Sequence, residues 1–197
     1  MKSCSLMKIN PTSGKKLLFP LLSIFLVFQS YYLVVALVHS TENNFSVFEI
    51  GIIGFTLNLF ITGIFAFPGF VFPTNKILGT NYYQIKHPNA VRIVYNVLRI
   101  DIFRKLLLFF IWGRGKNRAK YFNGTRKGLA NFSYQSKQSE FGHLMALICV
   151  AIATGILVID GYYKIALSTS VVNLFGNFYP VVLQRYHRIR IDKVLKR

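Results

Sequence analysis

The sequence predicts an all-α membrane protein with about four transmembrane helices, on the basis of three observations. Apolar side chains make up 53% of the 197 residues, which is high for an ordinary soluble domain. They are gathered into long runs, and about 18 or more apolar residues allow a helix to cross a hydrocarbon core about 30 Å thick. Lys and Arg are concentrated between these runs and at their ends.

Four apolar runs are the predicted spans. They cover residues 17–38, 50–72, 143–159 and 165–183. Only the short polar turn from Asp160 to Lys164 joins the last two, so we expect them to form an antiparallel hairpin. The whole chain, residues 1–197, is predicted to be a single integral membrane domain.

The distribution of basic residues predicts the orientation of the spans. A net charge of +18 would suggest nucleic acid as the partner of a soluble protein, but here Lys and Arg follow the preference for the cytoplasmic side of a membrane. They precede the first span and follow the fourth, and the link between the first two spans has none. We therefore expect both termini and the central segment 73–142 to be cytoplasmic, with the lipid bilayer and no nucleic acid as partner.

The central segment is predicted to contain a helix that lies in the membrane interface. From Val91 to Trp112, apolar residues alternate with cations that suit the level of the lipid headgroups. A fifth span is the alternative, but it would bring Arg104 and Lys105 towards the hydrocarbon. The basic residues 114–137 fit attraction to anionic lipids, and some of them can instead receive a phosphate- or carboxylate-bearing substrate.

Two polar residues mark the start of the third span. Glu140 and His143 are three positions apart and therefore share a helix face, where a carboxylate can orient an imidazole and raise its basicity. Such a pair can activate a hydroxyl group, although polar residues also occur routinely where a span meets water. Together with His187, these two residues also form a conceivable metal-ligand set, but nothing in the sequence directs His187 towards them, so no metal is expected.

A second polar cluster begins within the fourth span with Asn173, Asn177 and Pro180. Counted from the hairpin turn, Gln184 is nearly level with His143, so we expect the two clusters to face each other. Polar residues inside a span are functional candidates, with interhelical hydrogen bonding as the alternative. We predict that Arg185 holds a phosphate or stabilises an oxyanion. The predicted substrate-binding residues are Asn177, Gln184, Tyr186 and Arg188, of which Arg188 is alternatively a membrane anchor.

Two motifs carry a family resemblance: Glu140-x-x-His143, and Asn177 followed by Pro180 and the run Gln184-Arg185-Tyr186-x-Arg188-x-Arg190. With these motifs, residues 137–191 resemble the glycosyl-4,4'-diaponeurosporenoate acyltransferase family. These are small bacterial membrane proteins that attach the fatty acyl group of a glycosylated carotenoid. The resemblance implies transfer of an acyl group to a sugar hydroxyl of a lipid-linked acceptor in the bacterial inner membrane.

The resulting hypothesis is that His143, oriented by Glu140, deprotonates the acceptor hydroxyl while Arg185 and Gln184 stabilise the oxyanion. The acyl chain would lie between the spans, and the basic central segment would meet an acidic acyl donor, either acyl-CoA or acyl-carrier protein. No cofactor is expected. The rival hypothesis is a non-catalytic membrane subunit or lipid-binding protein, in which Glu140, His143 and Arg185 only lock the hairpin.

Overall fold

The computed structural model describes residues 13–40, 44–110 and 125–195, and these ranges are helical, with no strand among them. In chain order the helices are α1 (Ser13–Val38), α2 (Val47–Gly69), α3 (Gly79–Tyr82), α4 (Pro88–Val97), α5 (Ile100–Phe110), α6 (Arg126–Ile159), α7 (Tyr163–Asn173) and α8 (Tyr179–Leu195). A 3-10 turn (Thr74–Lys76) precedes α3, and a π-helical segment (Leu174–Phe178) joins α7 to α8. The predicted all-α architecture is confirmed.

Four helical stretches among the described residues are long and apolar enough to cross a membrane. They are α1, α2, α6 and the continuous stretch from Tyr163 to Leu195. With 34 residues, α6 is about 51 Å long at 1.5 Å per residue, well beyond a core of about 30 Å. It begins 17 residues before the predicted span, with Thr125 as N-cap. The polar cluster of Glu140 and His143 therefore lies on regular helix, and the second cluster lies in the π-helical segment and α8. Both are at the end of the bundle that we call the basic end.

Helix α2 is the centre of the bundle and packs against α1, α6 and α7. Its apolar face joins a buried core that includes Leu57, Ile61, Ala146, Val150, Leu157 and Ile165. Inside a membrane, apolar side chains pack against lipid as readily as against another helix. Polar contacts between the helices therefore help to specify which helices pair. Ser23 donates to the Ile64 carbonyl over 2.6 Å, and the Asn58 amide donates to the Thr169 carbonyl over 3.0 Å.

A close approach of α2 to α7 depends on Gly54, so we expect Gly54→Ala to destabilise the bundle. A Cβ atom there would lie 2.7 Å from Ser168 Oγ and 3.0 Å from the backbone nitrogen of Thr169, and the backbone cannot move aside easily. Overpacking of this kind costs about 1–3 kcal/mol. Thermal unfolding in detergent measures the effect, with Gly51→Ala as the matched control because its Cβ would meet open space.

The predicted interfacial helix is divided in two. Helix α4 ends at Val97 and α5 begins at Ile100, with Arg99 at the break in a left-handed conformation (φ 51°) that is uncommon for residues other than glycine. The Tyr179 hydroxyl donates to the Leu98 carbonyl over 3.1 Å and so ties this break to α8. The described residues contain no fifth helix of spanning length.

The most basic part of the central segment, residues 111–124, lies outside the described residues. The predictions made for its cations, Arg114 and Lys116 among them, therefore stay predictions.

Candidate functional site

A cavity of ≈ 210 Å³ opens at the basic end between α2, α6 and α8. Two of the residues predicted from the sequence, His143 and Gln184, lie in its wall. Aromatic side chains line one part, namely Phe65, Phe70 and Phe132, and amides and hydroxyls line another, namely Thr62, Gln135, Ser136, Gln138, Ser139 and Gln184. The cavity therefore offers hydrogen-bonding groups next to apolar rings, beside one imidazole.

The imidazole of His143 is held by Asn177 and not by Glu140. Its Nδ1 atom lies 3.1 Å from Asn177 Oδ1, and the ring also interacts with the backbone carbonyl of Gly176. Sharing a helix face brings Glu140 and His143 to the same side of α6, but α8 supplies other partners for the carboxylate. The pairing expected from their spacing is therefore corrected to a pairing of His143 with Asn177.

A chain of amide hydrogen bonds sets the tautomer of His143. The Leu147 carbonyl can only accept, and the Asn173 Nδ2 group donates to it over 3.1 Å. Asn173 Oδ1 then accepts from Asn177 Nδ2 over 2.9 Å, which turns Asn177 Oδ1 towards the imidazole. Because Oδ1 can only accept, the proton of the neutral ring is on Nδ1. The other nitrogen, Nε2, is left with a lone pair.

Thr62 completes this network from α2. Its hydroxyl donates to Asn177 Oδ1 over 3.1 Å, so that oxygen accepts two hydrogen bonds. Asn177 has no exposed surface, and every one of these contacts is internal. Its side chain contacts Thr62, His143 and Asn173, and its predicted role in substrate binding stays a prediction.

The π-helical segment places Asn177 in this position. Pro180 has no N–H group and cannot donate to the carbonyl four residues earlier, which belongs to Gly176. The helix widens over Leu174–Phe178, immediately before α8 begins, and the freed Gly176 carbonyl faces the His143 ring. Segments of this kind often occur at functional sites. Here the proline noted in the sequence explains the local geometry of the site.

The carboxylate of Glu140 joins α6 to α8. It accepts from Arg185 Nε over 2.8 Å and from the Nη2 group of Arg188, and it is 0% exposed. Arg188 is 3% exposed and also donates to Ser136 Oγ over 3.1 Å. Its Nε is buried without a hydrogen-bond partner among the described residues. The contacts that Arg188 makes are thus structural, and its role in substrate binding stays a prediction.

Arg185 is 35% exposed and lies outside the cavity wall, against the loop that contains α3. Its guanidinium carbon is 5.1 Å from the centroid of the Tyr82 ring, and that of Arg188 is 5.6 Å from the Tyr83 ring. Burial, with the charge of Glu140 adding to it, raises the pKa of Tyr83 to about 12. Burial also raises the pKa of Tyr82, so both phenols are neutral at physiological pH. Neither tyrosine was predicted from the sequence to be near the site.

Two other predicted residues lie away from the cavity. Tyr186 stacks on Tyr95 of α4 with 3.9 Å between ring centroids, in the apolar contact between α4, α5 and α8. His187 lies against Phe132 with 5.3 Å between ring centroids. In the part of the chain that the structure describes, no group of three or more His, Cys, Asp or Glu side chains is arranged to hold a metal.

Helix α2 supplies cavity residues that sequence reasoning missed, because the first two spans carry no motif. A signal was present: Asn58 and Thr62 are polar and one turn apart on a span that is mostly apolar. Gln138 on α6 fixes the end of α2, donating to the Gly69 carbonyl over 2.7 Å and accepting from the Asn75 backbone over 3.2 Å. The third wall of the cavity is thereby held in place.

Fold and site together define an integral membrane protein of four spanning helices with a largely apolar, histidine-containing cavity at the basic end. A sequence profile of the glycosyl-4,4'-diaponeurosporenoate acyltransferase family matches residues 79–197, more than half of the chain. The chain belongs to this family, whose name implies an acyltransferase of carotenoid biosynthesis. The match includes α6 to α8, with His143, but not α1 and α2. Comparisons with curated proteins and with solved structures give no match.

Proposed function

We propose that the protein transfers a fatty acyl group to a sugar hydroxyl of a lipid-linked acceptor, such as a glycolipid or a glycosylated carotenoid. The observation that carries this proposal is the His143 imidazole in the cavity wall, with its proton directed to Asn177 and its Nε2 lone pair left available. A general base of this kind is what attack by an alcohol requires. Family membership supplies the reaction class.

In the proposed reaction, His143 Nε2 takes the proton of the sugar hydroxyl as its oxygen attacks the acyl carbonyl carbon. A C–O ester bond forms, the bond from the carbonyl carbon to the donor breaks, and the imidazolium returns its proton to the leaving group. The Gln184 amide lines the cavity and contacts Ser139 Oγ over 3.3 Å, and we assign it the stabilisation of the oxyanion.

Of the two tasks predicted for Arg185, we assign it contact with a phosphate and not stabilisation of the oxyanion. Because its Nε is held by Glu140 and it lies outside the cavity wall, it serves in this proposal at the rim, where its exposed portion attracts the acidic donor. Acyl-CoA and acyl-carrier protein are both acidic, and either suits this site. The basic end would then face the cytoplasm of a bacterial inner membrane, with both termini on that side, as the distribution of Lys and Arg favours.

The test of the proposed function is a lipid and pigment profile, by mass spectrometry, of cells that express the chain and cells that do not. A glycolipid or glycosyl-carotenoid that gains the mass of a fatty acyl group only with the protein supports acyl transfer and identifies the acceptor. Identical profiles, in cells shown to contain glycosylated acceptors and acyl donors, would reject it.

Asn177→Ala should reduce turnover more than substrate affinity, because the variant loses the acceptor that fixes the His143 tautomer. We expect kcat to fall about 10- to 100-fold, by analogy with the loss of groups that orient a functional histidine. The control is Asn58→Ala, which removes a buried amide of α2 that bonds to the Gly54 and Thr169 carbonyls, away from the cavity. Equal kcat losses in both variants would argue against the orienting role.

A non-catalytic lipid-binding protein or membrane subunit is the second candidate, and one observation favours it. Glu140 and the two arginines connect α6 to α8 in the manner of a structural lock. In that case the cavity would still bind a lipid headgroup, but no acylated product would form. The profile described above separates the two candidates.

A further inference from the structure

A second concave surface lies within the membrane-spanning part of the hairpin. It is a groove of ≈ 730 Å³ between α6 and the α7–π stretch, and its walls are largely apolar. On α6 it follows one stripe of residues, namely Leu147, Ala151, Thr154, Gly155 and Val158. Its volume falls within the range of about 300–1,000 Å³ that is typical of small-molecule sites.

The groove ends next to the proposed catalytic base. Leu147 and Phe178 lie at that end, and Leu147 and Asn173 of its lining are the first two members of the hydrogen-bond chain that leads to His143. His143 precedes Leu147 by four positions, so it lies on the same stripe of α6, about one turn or 5.4 Å further towards the basic end. A molecule in the groove would thus end close to the imidazole.

Gly155 lines this groove, and the packing of the helices does not require a glycine there. A Cβ atom at this position would meet no other atom within 4 Å, whereas at Gly54 it would collide with the neighbouring helix. Since glycine in a helix interior costs about 0.5–1 kcal/mol relative to alanine, the missing side chain has no evident structural benefit. It leaves space in the wall of the groove.

We propose that this groove binds the acyl chain of the donor and limits its length. The proposal rests on the function proposed above, in which the reacting carbonyl carbon lies beside His143. An acyl chain is bonded directly to that carbon and must leave it within a few ångströms, as the groove allows. The lipid tail of the acceptor is separated from the reacting hydroxyl by the sugar and has no such constraint.

Two substitutions test the length limit by filling the groove at different depths. Ala151 lies about 12 Å and Gly155 about 18 Å along α6 from His143, at 1.5 Å per residue. With Ala151→Leu and Gly155→Leu, we expect shorter acyl groups in the product, and the shortening should be greater for Ala151→Leu. The measurement is the acyl-chain distribution of the product by mass spectrometry, in cells that supply saturated acyl groups of several lengths.

The matched control is Gly51→Leu on α2, where a side chain also enters open space but outside the groove. It should leave the acyl distribution unchanged. Unchanged distributions in both groove variants, or a change in acceptor preference instead of acyl length, would overturn the proposal. Absence of acylated product with the intact chain would reject the proposed function and, with it, this role for the groove.

Photo-cross-linking does not depend on turnover, so it can show whether the groove proposal fails or the proposed function fails. Cells expressing the intact chain are fed a fatty acid that carries a photoactivatable diazirine, and the cross-linked peptides are mapped. Enrichment at residues 147–158 and 170–178 over the lipid-facing side of α2 shows that the groove holds an acyl chain, whether or not product forms. Equal labelling of both surfaces means that only bulk lipid is present, and the proposal is wrong.

Discussion

Replacing His143 with alanine is expected to lower the rate of acyl transfer by about 100- to 10,000-fold, the range that a general base contributes. The ring is 3.1 Å from Asn177 and lies in the cavity wall. Because truncation also removes this buried hydrogen bond, we expect some loss of stability beside the loss of rate. The comparison is product formed per molecule of protein in the membrane, at matched abundance.

His143→Gln is the more stringent variant. A glutamine amide can still donate a hydrogen bond to Asn177 Oδ1 and so preserve the buried network, but it cannot take a proton. We expect this variant to be as inactive as His143→Ala and to unfold at the temperature of the intact protein. Full turnover in either variant would show that His143 is not the base.

The pH dependence of the intact enzyme provides a second measure of the same step. Protonated imidazole has no lone pair at Nε2, so turnover should decrease as the pH is lowered through the titration of His143. Residual activity of the glutamine variant should lack this dependence. A matching pH profile in both would place the titrating group elsewhere.

The sequence was sufficient to predict the hairpin and the polar residues that it brings together. Four spans followed from apolar runs, and Glu140, His143, Asn177 and Gln184 all lie at the basic end. Their pairing could not be predicted, because identical spacing on one helix face is compatible with several partners across an interface. The widened turn before Pro180 shifts the register, so that His143 meets Asn177 while Ser139 meets Gln184.

The residues that reach the site from distant parts of the chain could not be predicted from the sequence. Thr62 enters the site from α2, and its contact with Asn177 spans 115 positions. Tyr82 and Tyr83 approach the arginines because the chain turns back after α2, and no periodic pattern marks that turn. In both cases tertiary packing, and not local propensity, determines the neighbour.

The largest expected effect on stability is that of Glu140→Ala. The carboxylate is completely buried and is shared by Arg185 and Arg188, of which Arg188 is itself buried. Its removal leaves the Arg188 guanidinium without a counter-ion, and breaking a buried pair in this way costs about 3–5 kcal/mol. Thermal or denaturant unfolding in detergent should show the loss, with cross-linking between α6 and α8 as a local readout.

A double variant distinguishes the ion pair from simple loss of packing. In Glu140→Leu with Arg188→Met, no buried charge remains, and apolar replacement of a whole pair is often neutral or stabilising. We therefore expect the double variant to recover most of the stability that Glu140→Leu alone loses, with a coupling free energy of about 0.5–3 kcal/mol or more in a double-mutant cycle. Additive losses would mean that the two side chains act independently.

The activity of the same double variant shows whether Glu140 is needed for the reaction or only for the contact between α6 and α8. Because Arg185 and His143 are both retained, the proposed mechanism predicts that acyl transfer survives once the helices are again held together. If stability returns but turnover does not, Glu140 or Arg188 takes part in the reaction itself, as the sequence first predicted for both. Recovery of both would make Glu140 a positioning residue, which fixes the α6–α8 contact on which the distance between His143 and Asn177 depends.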